Sequence, residues 1–259
     1  MANDIHQTAI ISPDATIEEG VSIGPYCIIN DAAHIKKGTR LVSNIILEGN
    51  TEIGENCVIY PFTSIGLPPQ DLKYKGGKTG VRIGNNNVIR EYITIHRASV
   101  GGEGVTVIGD NNFFMAYVHI AHDCRIGNSV TMANVATLAG HVVVEDCAVV
   151  GGLVAVHQFT RIGAYAMVGG FSGIGQDIPP YMIASGARAK LFGLNTVGLK
   201  RHGFSDATIN ELKKAYKILF REKRTLKDAI KKIQEELPYT DEIKHLIDFI
   251  QKNKRGICR

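Results

Sequence analysis

The chain has 259 residues, of which 44% are hydrophobic and 28 are glycine, and its formal net charge at pH 7 is +4. This length provides for one large domain and a small appendage. No apolar run approaches the roughly 20 residues of a membrane span, and the N-terminus lacks the charged and then apolar pattern of a secretion signal. We therefore expect a cytoplasmic protein without an integral membrane contact.

The charge is divided unevenly along the chain. Residues 1–187 hold 11 Lys and Arg against 16 Asp and Glu, a balance of −5, whereas residues 188–259 hold 18 against 9, a balance of +9. A basic tail on a mildly acidic body favours an acidic partner, either an acidic carrier protein or nucleic acid. The same charges are also compatible with a solvated helical surface that binds nothing.

Aliphatic residues recur at intervals of six over most of the chain. Neither an α-helix, with a period of 3.6, nor a strand, with a period of two, produces a long period of six. A parallel β-helix does, when each face of the coil takes one hexapeptide. The 26 positions are Ile5, Ile11, Ile17, Ile23, Ile29, Ile35, Leu41, Leu47, Ile53, Ile59, Ile65, Ile83, Ile89, Ile95, Ile108, Phe114, Ile120, Ile126, Met132, Leu138, Val144, Val150, Val156, Ile162, Val168 and Ile174.

Three hexapeptides make one triangular coil of 18 residues, so the sequence predicts about nine coils over residues 1–187. A residue 18 positions further on should lie about 4.8 Å above, at the spacing of paired strands. A small or β-branched residue two positions before each periodic residue should fill the corner. The Gly or Asn that often follows the periodic residue should supply the unusual φ angle of the turn.

The period lapses twice, and each lapse predicts a loop that leaves the coil, near residues 66–80 and 99–106. A solenoid tolerates such outward insertions, and they often carry function. Residues 188–259 are expected to form a C-terminal helical domain. Its helices should be capped by Ser205, Thr225 and Thr240.

The five cysteines form no CxxC pair. Cys27, Cys57 and Cys124 each lie two residues before a periodic position, where small core-facing side chains recur. We interpret them as buried thiols in a reducing compartment, neither disulfides nor metal ligands.

Histidine is the side chain best suited to proton transfer near neutral pH. Four of the nine histidines, His119, His122, His141 and His157, are brought to roughly one edge of successive coils by the 18-residue spacing. Any one of them could be an ordinary surface or interface histidine. A cluster of four favours a functional site.

His122 is the best candidate base, because the carboxylate of Asp123 could fix its tautomer and stabilise the imidazolium. Gly140 allows a backbone N–H to approach a substrate closely, and that N–H could stabilise an oxyanion. No GxSxG motif and no cysteine next to a histidine indicates a nucleophile. Direct transfer to a substrate hydroxyl or amine is therefore expected, without a covalent intermediate.

Several segments together resemble the UDP-N-acetylglucosamine O-acyltransferase family over essentially the whole chain: HIAHDC at 119–124, AGH at 139–141, AVHQF at 155–159, QDLKY at 70–74, DIPPY at 177–181 and GLKR at 198–201. The hexapeptide repeat alone is shared by many acyl- and acetyltransferases. The combination of these motifs is specific to this family.

The resemblance implies a left-handed β-helix, a homotrimer with active sites between subunits, and the first step of lipid A biosynthesis. A 3-hydroxyacyl group passes from acyl carrier protein to the glucosamine 3-position of UDP-N-acetylglucosamine. No cofactor is implied, since the donor is carried on the phosphopantetheine of the carrier protein, and no nucleic acid takes part.

The resemblance also implies a role for each site residue. His122, supported by Asp123, is the general base, and the Gly140 N–H faces the thioester oxyanion. His119, His141, His157 and Gln158 position the sugar and phosphates. Asp71 and Lys73 contact the acyl 3-hydroxyl and its surroundings. Asn195 and Arg201 hold the nucleotide. Gly170 and Arg188 lie at the far end of the acyl groove.

A glycine at position 170 leaves the groove long, so the resemblance implies a long donor, roughly C12–C16. The chain departs from the family pattern at Val197, where an acidic residue is usual, at His202, where arginine is usual, and at Arg188, where histidine is frequent.

Other readings of the sequence keep the β-helix and change the chemistry. The acceptor could be the 3-amino analogue of the sugar, or the enzyme could be another hexapeptide acyl- or acetyltransferase. The related N-acyltransferases carry an extra N-terminal domain, for which the first periodic residue, Ile5, leaves no room. A zinc enzyme of the carbonic anhydrase type is a further alternative. Such enzymes favour an HxxxxH pair, whereas this chain has His119 and His122 in HxxH spacing. A non-enzymatic scaffold would leave the histidine cluster unexplained.

Overall fold

The computed structural model describes residues 2–30 and 32–259, and it forms a parallel β-helix followed by four α-helices. Paired strands are 18 residues apart in each regular coil, so that Ile5 lies opposite Ile23 and Ile120 lies opposite Leu138. The β-helix that the six-residue period predicts is confirmed. The three faces of the coil are three sheets, named A, B and C in the order in which the chain visits them.

Sheet A contains the strands Asp4–Ile5, Ser22–Ile23, Arg40–Leu41, Val58–Ile59, Val88–Ile89, Phe113–Phe114, Thr131–Met132, Val149–Val150, Met167–Val168, Met182–Ser185 and Lys190–Leu194. Sheet B contains Ile10–Ile11, Ile28–Ile29, Ile46–Leu47, Ser64–Leu67, Thr94–His96, His119–Ile120, Thr137–Leu138, Ala155–Val156 and Gly173–Ile174. Sheet C contains Thr16–Ile17, His34–Ile35, Asn50–Ile53, Gly80–Ile83, Val105–Ile108, Arg125–Ile126, Val143–Val144 and Arg161–Ile162. The turns between them are called the AB, BC and CA corners.

The core is the interior of the triangular prism. The periodic residues from Ile23 onwards point into it and are buried, whereas Ile5 on the open first coil remains 43% exposed. The residues two positions earlier are also buried, among them Cys27, Cys57 and Cys124, and all five cysteines are free thiols. The hydrophobic effect therefore acts along the whole prism, with the first coil as its least protected end.

The corners turn differently from the sequence-based expectation. The residue with a left-handed backbone lies three positions after the periodic residue, as at Tyr26, with φ of 58°, and at Val135, with φ of 64°. The expected role is confirmed for asparagines at this position, such as Asn56, but it was wrong for most glycines directly after the periodic residue, whose φ angles are not left-handed. A Cβ on Gly24 would lie 1.8 Å from the carbonyl oxygen of Val42 on the next coil, so this glycine is required by close stacking of the coils.

Both insertions leave the prism at the BC corner. The first spans residues 68–79, between Ser64–Leu67 and Gly80–Ile83, and the second spans residues 97–104, between Thr94–His96 and Val105–Ile108. They come from neighbouring coils and lie side by side, with the Arg97 N–H donating to the carbonyl of Leu67 at 3.2 Å. Residues of the two insertions can therefore contribute to one site.

After the last coil, Met182–Ser185 pairs in parallel with Met167–Val168 and then in antiparallel with Lys190–Leu194. The boundary between the acidic residues 1–187 and the basic residues 188–259 therefore falls in the turn of this hairpin. Four helices follow: α1 (Thr196–Arg201), α2 (Asp206–Phe220), α3 (Leu226–Glu236) and α4 (Asp241–Gln251). Ser205, Thr225 and Thr240 cap the last three as predicted, each accepting from the backbone N–H three residues later.

Polar contacts that are wholly or partly buried attach the helices to the prism. Asp177, which is 1% exposed, pairs with Arg161 at 2.7 Å, and Arg161 donates to the carbonyl of Phe249 in α4. The Tyr181 hydroxyl and Glu145 bind the two ring nitrogens of His245, at 2.9 Å each. Among the described residues, no helix is long and apolar enough to cross a membrane.

Candidate active site

The histidine cluster lies at the BC corner, on the coils that follow the two insertions. Three of its members occupy three successive positions of the corner rather than one, and the fourth, His119, lies in the adjoining strand of sheet B. The three corners, aligned by the 18-residue spacing, are Ala121-His122-Asp123, Ala139-Gly140-His141 and His157-Gln158-Phe159. The structure therefore brings the four predicted histidines to one side of the prism, with glycine at the middle of the central corner.

The imidazole of His122 and the carboxylate of Asp123 are in direct contact, since His122 Nδ1 lies 2.8 Å from Asp123 Oδ2. Asp123 is buried, and its Oδ2 also accepts from the Ser99 N–H at 3.0 Å. The Asp123 N–H donates to Thr106 Oγ1 at 2.9 Å. In a neutral His122 that donates from Nδ1 to Asp123, the proton acceptor is Nε2, on the side of the ring next to Gly140, and a fixed carboxylate lies behind it.

Gly140 lies against the ring of His122. A Cβ on residue 140 would be 2.5 Å from His122 Cε1 and 2.6 Å from Nε2, so a larger residue would displace the imidazole. The Gly140 carbonyl accepts from the Phe159 N–H at 3.1 Å. The glycine therefore has a steric role that the sequence did not reveal, besides the proposed role of its N–H.

His141 covers the other side of the dyad. Its ring meets the His122 ring edge-on, with centroids 5.3 Å apart, and stacks on Phe159 at 4.7 Å. His141 Nε2 lies 3.7 Å from Asp123 Oδ2. One ligand atom each from His122, Asp123 and His141 lies within 4.8 Å of the others, so the chemistry of this trio would also suit a metal ion.

His119 lies on the outer surface of sheet B, where its Nδ1 is 2.6 Å from Thr94 Oγ1. The ring of His96 meets it edge-on at 5.2 Å. Burial lowers the pKa of both imidazoles, that of His96 to about 4. Both rings are therefore neutral near pH 7 and can donate or accept hydrogen bonds without adding charge.

A groove of about 520 Å³ runs along sheet B from His157 towards the end of the prism, where Arg188 lines it. The outward side chains of sheet B become smaller in this direction, in the order His119, Thr137, Ala155 and Gly173. His157 itself is exposed, and its Nδ1 is hydrogen-bonded to the Arg255 guanidinium. The same nitrogen lies 3.1 Å from the carbonyl oxygen of Gln158, which is also exposed. An apolar chain that starts near His122 could lie in this groove.

Asp71 and Lys73 lie on the first insertion. Asp71 Oδ1 accepts from the Lys73 N–H at 2.9 Å, and Asp71 Oδ2 accepts from Ser99 Oγ at 2.9 Å. The Lys73 side chain is exposed. The pKa of Asp71 is lowered, first by the Lys73 N–H and then by Ser99, so this carboxylate is ionised beside the histidine cluster.

Three of the predicted residues lie elsewhere on the same chain. Gly170 is exposed at the AB corner. Asn195 caps α1 through its Oδ1, and its Nδ2 donates to the carbonyl of Tyr165 at the CA corner. The same part of the molecule contains Arg201, at the end of α1, and two positions that depart from the family pattern, Val197 and His202. His202 contacts the Tyr165 ring. One chain alone therefore does not unite the base with the predicted nucleotide residues.

Sequence reasoning missed four residues that hold the cluster: His96, Ser99, Thr106 and Phe159. The 18-residue alignment could have indicated Phe159, which follows Asp123 and His141 in register. Ser99 belongs to an insertion, where the period gives no spatial information.

Two family models match this chain. One is described as UDP-N-acetylglucosamine O-acyltransferase, domain 2, over residues 177–258, and the other as the bacterial transferase hexapeptide over residues 105–140. A curated relative from Thermodesulfovibrio yellowstonii, an acyl-[acyl-carrier-protein]–UDP-N-acetylglucosamine O-acyltransferase, is 72% identical over 99% of this chain and 100% of its own length. The chain belongs to the UDP-N-acetylglucosamine O-acyltransferase family. The resemblance that the motifs indicate is thereby confirmed.

Solved structures agree with this membership. The Acinetobacter baumannii enzyme LpxA is 46% identical, with a TM-score of 0.96 over 98% of this chain and 99% of its own. UDP-N-acetylglucosamine O-acyltransferase from Moraxella catarrhalis is 43% identical, with a TM-score of 0.95 over 98% and 99% of the two chains. The fold is the left-handed parallel β-helix with C-terminal helices that the family resemblance implies.

Proposed function

We propose that this member of the O-acyltransferase family moves a 3-hydroxyacyl group from acyl carrier protein to the glucosamine 3-hydroxyl of UDP-N-acetylglucosamine, the first step of lipid A biosynthesis. The observation that carries the mechanism is the His122–Asp123 dyad with its 2.8 Å contact. His122 Nε2 takes the proton of the acceptor hydroxyl as that oxygen attacks the thioester carbonyl. Asp123 stabilises the imidazolium that forms.

The tetrahedral intermediate carries its negative charge on the former thioester oxygen. The Gly140 N–H, at the middle of the neighbouring corner, is the donor that we assign to this oxyanion. When the intermediate collapses, the C–S bond breaks and the imidazolium returns its proton to the departing thiolate, so that the phosphopantetheine leaves as a thiol. No covalent acyl-enzyme is needed. The proton that His122 takes from the acceptor hydroxyl is the one that leaves on the thiol.

The remaining residues of the site bind the substrates. His119, His141, His157 and Gln158 surround the position of the sugar and phosphates. Asp71 and Lys73 on the first insertion recognise the donor's 3-hydroxyl and its surroundings. The acyl chain lies in the groove along sheet B, whose far end is lined by Arg188. The family resemblance adds Gly170 to the determinants of chain length, with a preferred length of roughly C12–C16.

An in vitro assay tests the reaction. The protein is incubated with UDP-N-acetylglucosamine or its 3-amino analogue and with 3-hydroxyacyl carrier proteins of several lengths, and products are identified by mass. We expect an O-acyl product from UDP-N-acetylglucosamine. Product from the amino sugar alone would favour the N-acylating alternative, and no product from either acceptor would overturn the proposal.

A metal ion is not part of the proposed mechanism, although His122, Asp123 and His141 could hold one. The base needs the same nitrogen lone pair that a metal would occupy. Activity should therefore survive treatment with a chelator and show no dependence on bound zinc. Stoichiometric zinc that is lost together with activity would establish the metal-dependent alternative.

We further propose that the active enzyme is a homotrimer whose sites lie between subunits. Asn195 and Arg201 lie on a different side of the prism from His122, so a nucleotide bound by all three needs two chains. The AB corner carries a ladder of exposed aromatic rings, Phe62, Tyr92 and Tyr117, stacked at 5.0 and 4.8 Å, which offers an apolar surface for association.

Mixed oligomers test the shared site. His122→Ala and Arg201→Ala chains, each of low activity alone, are co-expressed with different tags and purified as hybrids. If the base and the arginine come from different chains, one of the three sites in every mixed trimer combines intact copies of both, and the activity of the purified hybrids returns to about a third of the wild-type level. No recovery would place both residues of a working site on one chain.

The acidic partner suggested by the basic C-terminal segment is acyl carrier protein. The five free thiols fit a reducing compartment, and we assign this protein to the cytoplasm. Raising the salt concentration should increase the KM for the carrier protein more than that for the nucleotide sugar, because opposite surface charges are screened.

A further inference from the structure

Ser99 lies between the two functional carboxylates of the BC corner. Its backbone N–H donates to Asp123 Oδ2 at 3.0 Å, and its side-chain Oγ donates to Asp71 Oδ2 at 2.9 Å. Ser99 is only 7% exposed, so its bond to Asp123 is shielded from water, and its bond to Asp71 is partly buried. One residue on the second insertion thus connects the carboxylate of the dyad with the carboxylate of the first insertion.

The position of Ser99 is fixed by the backbone that precedes it. The Arg97 N–H donates to the Leu67 carbonyl at 3.2 Å, and the Ala98 N–H donates to the Gly80 carbonyl at 3.3 Å. Ala98 is fully buried, and Arg97 Nε donates to the Tyr74 hydroxyl of the first insertion. The two insertions therefore form one unit, and Ser99 cannot move without disturbing contacts at both ends.

The Asp71 carboxylate is oriented by this unit. Its two oxygens are held from opposite sides, Oδ1 by the Lys73 N–H and Oδ2 by Ser99 Oγ. An ionised carboxylate oxygen can accept more than one hydrogen bond, so both oxygens keep capacity for a ligand hydroxyl. Without Ser99 Oγ, one of the two anchors is lost and the carboxylate can rotate away from the site.

The same residue also restrains the dyad, because Asp123 Oδ2 accepts from the Ser99 N–H as well as from His122 Nδ1. Gly102, further along the insertion, lies over the other oxygen: a Cβ there would be 2.2 Å from Asp123 Oδ1. The second insertion thus covers the carboxylate that supports the base.

We propose that Ser99 is a positioning residue that joins recognition of the donor's 3-hydroxyl group to the catalytic dyad, so that the enzyme favours 3-hydroxyacyl over unsubstituted acyl donors. This inference rests on the proposed function, in which Asp71 contacts the 3-hydroxyl. The side-chain Oγ determines donor discrimination through Asp71. The backbone N–H supports Asp123 with either donor.

The test separates these two contacts. Ser99→Ala removes Oγ and keeps the N–H, and Ser99→Thr keeps the hydroxyl. For each variant, kcat and KM are measured with a 3-hydroxyacyl and an unsubstituted acyl carrier protein of the same chain length. We expect Ser99→Ala to lower kcat/KM about tenfold for the 3-hydroxyacyl donor, mainly through KM, and to leave the other donor nearly unchanged. Ser99→Thr should restore the preference.

A double-mutant cycle adds a second readout. In an Asp71→Asn background, Ser99→Ala should have little further effect on the donor ratio, because the group that Oγ orients is already altered. The control is Glu103→Gln, which removes an ion pair between Arg125 and the same insertion without touching Asp71. It should leave the donor ratio at its wild-type value.

Equal loss with both donors in Ser99→Ala, or an unchanged donor ratio, would overturn the inference. These outcomes differ from a failure of the proposed function, in which the wild-type protein forms no product with either donor. An effect of Glu103→Gln as large as that of Ser99→Ala would also contradict the inference, because loosening of the loop would then explain both.

Discussion

The ring of His122 and the backbone of Gly140 are in such close contact that residue 140 has no room for a Cβ, which would lie 2.5 Å from Cε1 of the imidazole. The orientation of the proposed base therefore depends on the absence of a side chain one coil away. This relationship explains why glycine is needed here independently of any oxyanion contact.

Gly140→Ala should lower kcat by about a hundredfold, since a displacement of the base by about 1 Å has effects of this size. The variant should fold normally, because the three atoms nearest to the added methyl group all belong to the His122 side chain and none to the backbone. Steady-state kinetics and a thermal unfolding curve measure the two effects. The matched control is Gly152→Ala, whose Cβ would meet its nearest neighbour at 3.3 Å. Wild-type kcat in Gly140→Ala would contradict the steric role.

Gly170→Met should shift the preferred donor to shorter chains. Gly170 is exposed at the AB corner, next to Gly152, and does not line the groove of its own chain, so we expect its side chain to meet the acyl chain bound by a neighbouring subunit. A donor series of increasing length measures the optimum. Leu153→Met, which changes an exposed apolar residue one coil away, serves as the control. An unchanged optimum in Gly170→Met would remove this residue from chain-length selection.

His96 should make the stability of the protein depend on pH. Burial lowers its pKa in the folded state to about 4, below the ordinary value of 6.5. Between these values the unfolded chain binds more protons, so the free energy of unfolding falls as the pH is lowered from 6.5 towards 4. The contribution present above pH 6.5 is at most about 3 kcal/mol.

His96→Gln removes this titration and should flatten the pH dependence of the unfolding free energy in that range, as measured by urea denaturation at several pH values. His6→Gln, at an exposed position on the first coil, should leave the dependence as it is. If His96→Gln and the wild type have the same slope, His96 is not the group responsible.

Asp177→Ala should destabilise the attachment of the helices to the prism. Asp177 is buried and pairs with Arg161, and its removal leaves a largely buried guanidinium without its counter-charge. The expected cost is about 3–5 kcal/mol of unfolding free energy. Glu235→Gln breaks only an exposed pair with Lys231 and should change stability by less than about 1 kcal/mol. Similar effects of the two substitutions would refute the structural role of Asp177.

The sequence predicted most of the fold because one physical signal, the six-residue burial period, repeats along it. Each periodic residue from Ile23 onwards is buried, and the caps at Ser205, Thr225 and Thr240 act locally, so each was readable from a few residues. The turn geometry was not readable. Left-handed φ angles occur at residues such as Val135, which rarely adopt them alone, because tight coil stacking imposes them.

The site was predictable only as far as the period reaches. The 18-residue coil brought His122, Gly140 and His157 together, but the insertion interrupts the period before Ser99, and nothing in its spacing reveals that it bonds Asp71 and Asp123. The contact of His122 with Asp123 is a matter of side-chain direction, which neighbouring positions in sequence do not determine. For Asn195 and Arg201 the limit is different, since their proposed partner lies on another chain.

The central claim is that His122 is the general base of acyl transfer to UDP-N-acetylglucosamine. The most direct measurement compares kcat of the wild type and His122→Ala with 3-hydroxyacyl carrier protein and UDP-N-acetylglucosamine as substrates. We predict product from the wild type and at least about a hundredfold lower kcat in the variant, with an unchanged unfolding curve. Wild-type kcat in His122→Ala would contradict the account.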